Sequence, residues 1–235
     1  RNVISANQGD GIFVRHTSNL NFIGGNYIAT TDEEFSVIVT DVTNLKYKRN
    51  PYLYTREYFE IMGDALSEDG VAAAWLPVGG LSFNDLRTLI ATFNSVFPHT
   101  TAWYFTQFPT HFIILVGTPG PTLVNMENLG TKMADVERDL RSLDVDNVYE
   151  LASMLLLGES DIDSLVDGAP IHTDNHPILE YSDMDLYNVV DVAPNLGRLI
   201  EFQHEDLLAY FVGTEQQLAE LEEHFDLYTG HYLDY

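Results

Sequence analysis

Cysteine is absent from the 235 residues, which excludes disulfides, thiolate metal sites and cysteine nucleophiles and leaves the redox compartment undetermined. Basic side chains are scarce, because 11 Lys and Arg stand against 36 Asp and Glu, for a formal net charge of −25. That charge argues against a duplex-DNA binder, whose affinity comes from cations facing phosphates. No apolar run reaches the roughly 18 residues of a membrane span. The longest runs, such as residues 71–76 and 112–116, have the length of strands.

The acidity itself has two interpretations. The chain carries 20 Asp, 16 Glu, 8 Arg and only 3 Lys, a bias that resembles a solvated surface adapted to high salt. A cationic substrate or a basic partner would favour the same excess of carboxylates.

Up to about residue 119 the sequence alternates short apolar runs with segments of helical period, which predicts an α/β sheet with crossover helices. Residues 35–40 are nearly continuously apolar and β-branched, as expected for a strand buried on both faces. Residues 15–34, polar and containing two glycines, are interpreted as an inserted loop or hairpin. The other predicted elements are strands at 3–6, 71–76, 100–105 and 112–117, and helices at 55–66 and 82–97.

Beyond the Pro-Gly-Pro at 119–121 the composition shifts to acidic helical patterns. We therefore expect two parts, an α/β domain over 1–119 and a helical C-terminal extension over 120–235. The helical patterns lie at 132–143, 148–157, 161–166, 205–212 and 215–227, and residues 169–181 are irregular. The chain begins with Arg1 and shows strand character at once, so we expect it to be the later part of a longer protein.

Two acidic residues mark a candidate site. Ligands of an open α/β sheet bind outside the carboxyl ends of its strands. Asp10 follows the first predicted strand and Asp41 follows the buried one, so parallel neighbouring strands would turn both carboxylates toward one crevice. A carboxylate there can accept a hydrogen bond from an amine or act as a general base. The alternative is an ordinary helix cap or loop residue.

Three segments resemble the spermidine synthase family. Residues 37–60, VIVTDVTNLKYKRNPYLYTREYFE, are similar to its strand, its Asp-Ser/Thr-x-Asp-Pro loop and its Leu-Phe/Tyr-Thr-x-Glu-Phe/Tyr helix start. The turn Gly9, Asp10 and Gly11 is similar to the family's acidic turn at the adenine end of the nucleoside. Residues 171–182, IHTDNHPILEYS, resemble the Thr-Asp-Asp-x-Pro-x-Leu-Glu-Tyr element of long, often membrane-fused members.

The resemblance implies the second half of a Rossmann-like S-adenosylmethionine-dependent methyltransferase fold, with an acidic helical annex. It implies a transferase of polyamine biosynthesis that takes decarboxylated S-adenosylmethionine, or S-adenosylmethionine itself, as co-substrate without a tightly bound cofactor. Asp41 would be the catalytic base, and the turn around Asp10 would contact the nucleoside. The aromatic residues at 52, 54, 58 and 59 are expected in the core on one helix face, and Tyr54 is the one of them expected to face the site. We expect a cytoplasmic location, at a membrane face where the parent protein is membrane-fused.

Several departures from the family keep a different class open. The Gly-rich loop after the family's first strand is missing, and Asn44 stands where the family has a second Asp that holds the acceptor's distal amine. Beyond it, Lys46, Lys48 and Arg49 would repel a cationic polyamine. The alternative is therefore a catalytically inactive structural or interaction subunit. In either case we expect the missing upstream half, or another protein chain, along the open sheet edge.

Two histidines, His172 and His176, flank Asp174 at a spacing that suggests a metal site. Pro177 argues against the helix that would place both imidazoles on one face, so we expect no metal. The interpretations that remain are a polar turn packed against the domain and a contact lining the acceptor pocket.

Overall fold

The computed structural model describes residues 10–16, 19–23, 35–42, 50–105, 111–184 and 192–231. Its strands are β1 (Asp10–His16), β2 (Asn19–Ile23), β3 (Phe35–Val42), β4 (Leu66–Pro77), β5 (His99–Tyr104), β6 (Phe112–Thr118), β7 (Val124–Asn125), β8 (Leu155–Leu157) and β9 (Phe211–Val212). Its α-helices are α1 (Arg56–Asp64), α2 (Phe83–Asn94), α3 (Met126–Asp135), α4 (Glu137–Arg141), α5 (Val148–Ala152), α6 (Glu159–Val166), α7 (Val192–Ile200) and α8 (Glu215–His231). Its 3₁₀ helices span Asn50–Tyr54, Ile178–Tyr181 and Leu207–Tyr210.

A central mixed sheet has the strand order β2-β1-β3-β4-β6-β5-β8, and β7 and β9 form a separate pair. The one parallel contact among the described strands of this sheet joins β3 to β4, across the helix α1 that connects them. The predicted α/β class is confirmed by this arrangement. The strand expected at residues 3–6 lies outside the described residues.

The two helices predicted in the first half are confirmed. They could be predicted because their N-terminal caps depend on residues close together in the sequence. The Thr55 hydroxyl accepts a hydrogen bond from the Tyr58 backbone N–H at 3.3 Å and starts α1. The Ser82 hydroxyl accepts from the Asp85 N–H at 3.1 Å and starts α2. Both helices bury apolar side chains in the main core, including Phe59 and Phe93, whose rings meet edge to face at 5.0 Å.

The region after residue 120 is not purely helical, which corrects the prediction for residues 148–157. The helix α5 ends at Ala152, and the three leucines that follow form β8, paired with β5. Three consecutive leucines that are at most 2% exposed must be buried on both faces, and a run this short has no period that separates strand from helix. The expected division of the chain at residue 119 stays a prediction.

Two other helical predictions are also corrected. The pattern over 132–143 is two helices, α3 and α4, because half of its apolar stripe gains no burial: Val136 and Leu143 are 43% and 44% exposed. The pattern over 205–212 is a 3₁₀ turn followed by β9, which pairs with β7. A helix that the sequence interpretation missed, α7, packs Leu196 and Leu199 into the main core.

The edge of β3 is occupied by a strand of the same chain. The hairpin β1–β2 only partly overlaps the segment 15–34 interpreted as a loop or hairpin, since β1 begins at Asp10, and β1 pairs with β3 in antiparallel fashion. Among the described strands, the edges of the sheet are therefore β2 and β8. Whether a further chain lies along either edge stays a prediction. None of the described helices combines the length and the apolar character needed to cross a membrane.

Candidate functional site

The carboxyl end of β3 places Asp41 beside the neighbouring parallel strand. Its predecessor Thr40 is fully buried and points toward α1, where its hydroxyl lies 2.9 Å from the Tyr58 hydroxyl and 3.3 Å from Met62 Sδ. Because side chains alternate along a strand, Asp41 points to the opposite face of the sheet. Strand β3 therefore buries Thr40 on one face of the sheet and places the Asp41 carboxylate on the other face, near the same strand end.

One oxygen of the Asp41 carboxyl has no hydrogen-bond partner among the described residues. Its Oδ1 atom is buried and receives no hydrogen bond from the described part of the chain. Burial raises the pKa of the Asp41 carboxyl above its ordinary value of 3.8, because desolvation disfavours the charged form. A carboxylate with a raised pKa is a stronger base than a solvated one. Its chemistry therefore suits accepting a proton or a hydrogen bond from an amine.

Asp10 also lies near the carboxyl end of β3, but in a different arrangement from the predicted one. The sequence analysis expected it to follow a strand that runs parallel to β3. Instead, Asp10 is the first residue of β1, which runs antiparallel to β3, so the start of β1 meets the end of β3. In the register Asp10 is opposite Val42, and Gly11 is opposite Asp41, so no side chain stands at the position facing Asp41 on β1. Gly9 lies outside the described residues.

Tyr54 is a buried residue that connects the neighbouring 3₁₀ helix to β4. Its side chain is 0% exposed, and its hydroxyl donates a hydrogen bond to the backbone carbonyl of Trp75 on β4. Trp75 follows Ala74, the residue of β4 that pairs with Thr40, and so lies next to Asp41 in the register. Tyr54 therefore joins its 3₁₀ helix to the end of β4. Its predicted contact with substrate stays a prediction, and Asn44 lies outside the described residues.

A cavity of about 520 Å³ opens beyond the carboxyl end of β4, and Asp41 is not among the residues that line it. Its lining comes from the turn into α2 and from α7. Asn195 of α7 is 5% exposed and donates to the carbonyls of Val78 and Leu81 at 2.7 and 3.0 Å, which fixes α7 to this turn. The guanidinium of Arg198 lies 5.1 Å from the ring centre of Phe83.

Sequence reasoning missed α7, the helix that lines one side of this cavity. Its signal was the apolar spacing of Val192, Leu196 and Leu199, at positions i, i+4 and i+7. The Pro194 within the pattern obscured it, although proline is tolerated in the first turn of a helix.

The segment 171–184 packs against the start of α1 and α2. Its buried His172 has both ring nitrogens engaged: Nε2 lies 3.0 Å from the Pro51 carbonyl oxygen, and Nδ1 lies 3.4 Å from the Leu179 backbone nitrogen. A carbonyl only accepts and an N–H only donates, so the imidazole is neutral with its proton on Nε2. Burial lowers the pKa of His172, against the smaller effects of the Pro51 carbonyl and of nearby carboxylates.

The two histidines of this segment have different surroundings. His172 has no free nitrogen for a metal, and His176 lies in an exposed turn closed by backbone hydrogen bonds with Thr173. The described ranges hold no cluster of three or more His, Asp or Glu placed to bind a metal ion. The packed polar turn is thus the geometry seen. The turn is held by Glu57, whose Oε2 accepts from the Asp174 N–H at 3.0 Å.

No family model matches the chain, and no curated protein matches it. Among solved structures, the chain is similar to the crystal structure of a probable spermidine synthase from Corynebacterium glutamicum, at 20% identity and a TM-score of 0.39. The match covers 59% of this chain and 47% of that one, so the chain spans less than half of that protein. A likeness this distant does not define an activity, and the function has to rest on the residues of the site.

Proposed function

We propose that the chain is the second half of a Rossmann-like methyltransferase fold with an acidic C-terminal extension, acting as a spermidine synthase-like aminopropyltransferase. The observation that carries the proposal is the buried Oδ1 of Asp41 at the carboxyl end of β3, which has no hydrogen-bond partner in the part of the chain that the structure describes. The sequence around it, residues 37–60, supplies the resemblance to that family. The co-substrate would be a decarboxylated S-adenosylmethionine-type nucleoside, and the expected cytoplasmic location is part of the proposal.

The reaction asks little of the protein beyond a base and positioning. The lone pair of an amine nitrogen attacks the methylene carbon beside the sulfonium sulfur, so a C–N bond forms while the C–S bond breaks. The electron pair of the broken bond stays on sulfur and leaves as the neutral thioether methylthioadenosine. The proton that the amine loses passes to the Asp41 carboxylate and then to solvent. Positioning two substrates and one base is typical of catalysis by proximity and proton transfer.

The other predicted residues are consistent with this scheme because of where they lie relative to the end of β3. The register places Asp10 and Gly11, at the start of β1, opposite the end of β3, which supports a nucleoside contact there. Gly9, outside the described residues, would be its third member. Tyr54 and Asn44 would serve the acceptor side. An upstream half or a second chain along the sheet would complete the nucleoside pocket.

A second candidate is a catalytically inactive subunit that derives from the same fold. The sequence favours it at Asn44, where the family's acceptor-binding Asp is lost, and at the basic residues Lys46, Lys48 and Arg49. Such a subunit would bind protein and turn over no amine. Asp41 would then matter only for folding or partner binding.

The test is release of methylthioadenosine by the protein at its natural full length, with decarboxylated S-adenosylmethionine and a series of amine acceptors. Asp41→Asn is expected to lower turnover by roughly 10²- to 10⁴-fold, the usual value of a general base, with little change in nucleoside affinity. Asp64→Asn is the matched control, because it makes the same charge change at an exposed position at the end of α1. No turnover with any acceptor, together with an Asp41→Asn effect on partner binding alone, would establish the inactive subunit instead.

A further inference from the structure

We propose that His172 is a positioning residue for the candidate site, because its imidazole holds the 3₁₀ helix Asn50–Tyr54 against the end of β4, the strand that neighbours the end of β3 and Asp41. This inference rests on the proposed function and adds a residue 131 positions away along the chain. The Nε2–H donates to the Pro51 carbonyl in the first turn of that helix. At the other end of the helix, the Tyr54 hydroxyl donates to the Trp75 carbonyl, next to Asp41 in the register.

The backbone of His172 strengthens the same attachment. Its N–H donates to the Thr92 hydroxyl of α2 at 2.9 Å, and its carbonyl accepts from the Arg56 N–H at the start of α1 at 2.9 Å. One fully buried residue therefore links the 3₁₀ helix with α1 and α2. A shift of the 3₁₀ helix away from the end of β4 would break the Tyr54 hydrogen bond and disturb the Pro51 one.

The two ring hydrogen bonds have different consequences, which makes the proposal testable. The Nε2 bond reaches Pro51 and so acts toward the site, whereas the Nδ1 bond reaches Leu179 and fixes only the segment to which His172 belongs. Glutamine places an amide N–H about where Nε2 lies, and asparagine places an amide oxygen about where Nδ1 lies. His172→Gln therefore keeps the bond toward the site, and His172→Asn keeps the other.

For wild type and each variant we would measure the pKa of the Asp41 carboxyl by ¹³C NMR titration, and kcat and KM for methylthioadenosine release. We expect His172→Asn to bring the Asp41 pKa back toward its ordinary value and to lower kcat about 10- to 100-fold, as loss of a residue that orients a site commonly does. His172→Gln should leave both within about twofold of wild type.

Ser182→Ala is the control, because Ser182 attaches the same segment to Asp85 of α2 at 2.5 Å and not to the 3₁₀ helix. It should lower stability without moving the Asp41 pKa. If His172→Asn does not fold, Tyr54→Phe replaces it, since this change removes the next hydrogen bond toward Asp41 and should shift the same pKa.

The two possible failures are distinguishable. A wild-type protein without turnover overturns the proposed function, and the role of His172 is then decided by the Asp41 titration alone. Equal losses in His172→Gln and His172→Asn, or an Asp41 pKa that neither His172→Asn nor Tyr54→Phe moves, overturn the positioning role and leave His172 as an ordinary core residue.

Discussion

The Glu205 carboxylate accepts two hydrogen bonds from Ser160 at the first turn of α6, from the backbone N–H at 3.0 Å and from the hydroxyl at 3.2 Å. The Tyr210 hydroxyl also donates to Glu205 at 2.9 Å and accepts from the Glu159 N–H at 2.6 Å. A carboxylate is stabilised at a helix N-terminus by the unpaired N–H groups there. These contacts attach the segment after α7 to the start of α6.

Gly158 permits this attachment because it has no side chain. A Cβ there would overlap Glu205 Oε2 and lie 2.8 Å from the Tyr210 ring. We expect Gly158→Ala to lower the free energy of unfolding by about 1–3 kcal/mol, the usual cost of overpacking, as measured by denaturant unfolding. Gly130→Ala is the control, since a Cβ in that position of α3 meets nothing within 4 Å and should raise stability by up to about 1 kcal/mol. Equal effects of the two substitutions would contradict the packing argument.

The buried hydroxyls of Thr40 and Tyr58 give a second prediction. They lie 2.9 Å apart, and the Tyr58 pKa is raised by burial. Thr40→Val leaves the Tyr58 hydroxyl buried without this partner and should cost about 1–3 kcal/mol of stability. After Tyr58→Phe the Thr40 hydroxyl keeps its contact with Met62 Sδ, so a smaller loss is expected. The double variant leaves nothing unpaired and should cost less than the sum of the two. Chemical denaturation of all four proteins measures this coupling, and strictly additive losses would show that the two hydroxyls do not depend on each other.

Local patterns made the first half of the fold predictable. Strand β3, the caps Thr55 and Ser82, and the position of Asp41 at a strand end all follow from residues within four positions of one another. What escaped prediction depends on distant contacts. Leu155 and its two neighbours form a strand only because β5 lies beside them, and the partner of the His172 ring is 121 residues away. Hydrophobic period carries no information about such partners.

The excess of acidic residues predicts a response to salt. With a formal charge of −25, the carboxylates of the folded surface repel one another more than those of the expanded chain. Salt screens this repulsion over about 8 Å at physiological ionic strength. The melting temperature should therefore rise with KCl from low to molar concentration, as followed by circular dichroism. A flat or falling curve would indicate specific ion pairs or bound cations in place of general repulsion.

The raised pKa of Asp41 sets the pH dependence of stability. The folded state holds the Asp41 proton more tightly than the unfolded state, whose carboxyl has its ordinary pKa of 3.8. Between these two pKa values the folded state binds more protons, so the Asp41 contribution to unfolding free energy falls as the pH rises. The amide that replaces the carboxyl in Asp41→Asn cannot titrate. The stability of this variant relative to wild type should therefore increase from pH 3.8 upward and level off above the folded-state pKa.

Urea unfolding of wild type and Asp41→Asn at a series of pH values measures this difference, with Asp64→Asn as the matched control because Asp64 is exposed. A base held in an unfavourable environment destabilises the fold while it serves the reaction, so the same Asp41→Asn substitution should raise relative stability with pH and remove turnover. A relative stability that falls with rising pH would mean that the folded-state pKa of Asp41 lies below its ordinary value. The carboxylate would then be held by a stabilising partner, and its place as the base in the proposed reaction would be lost.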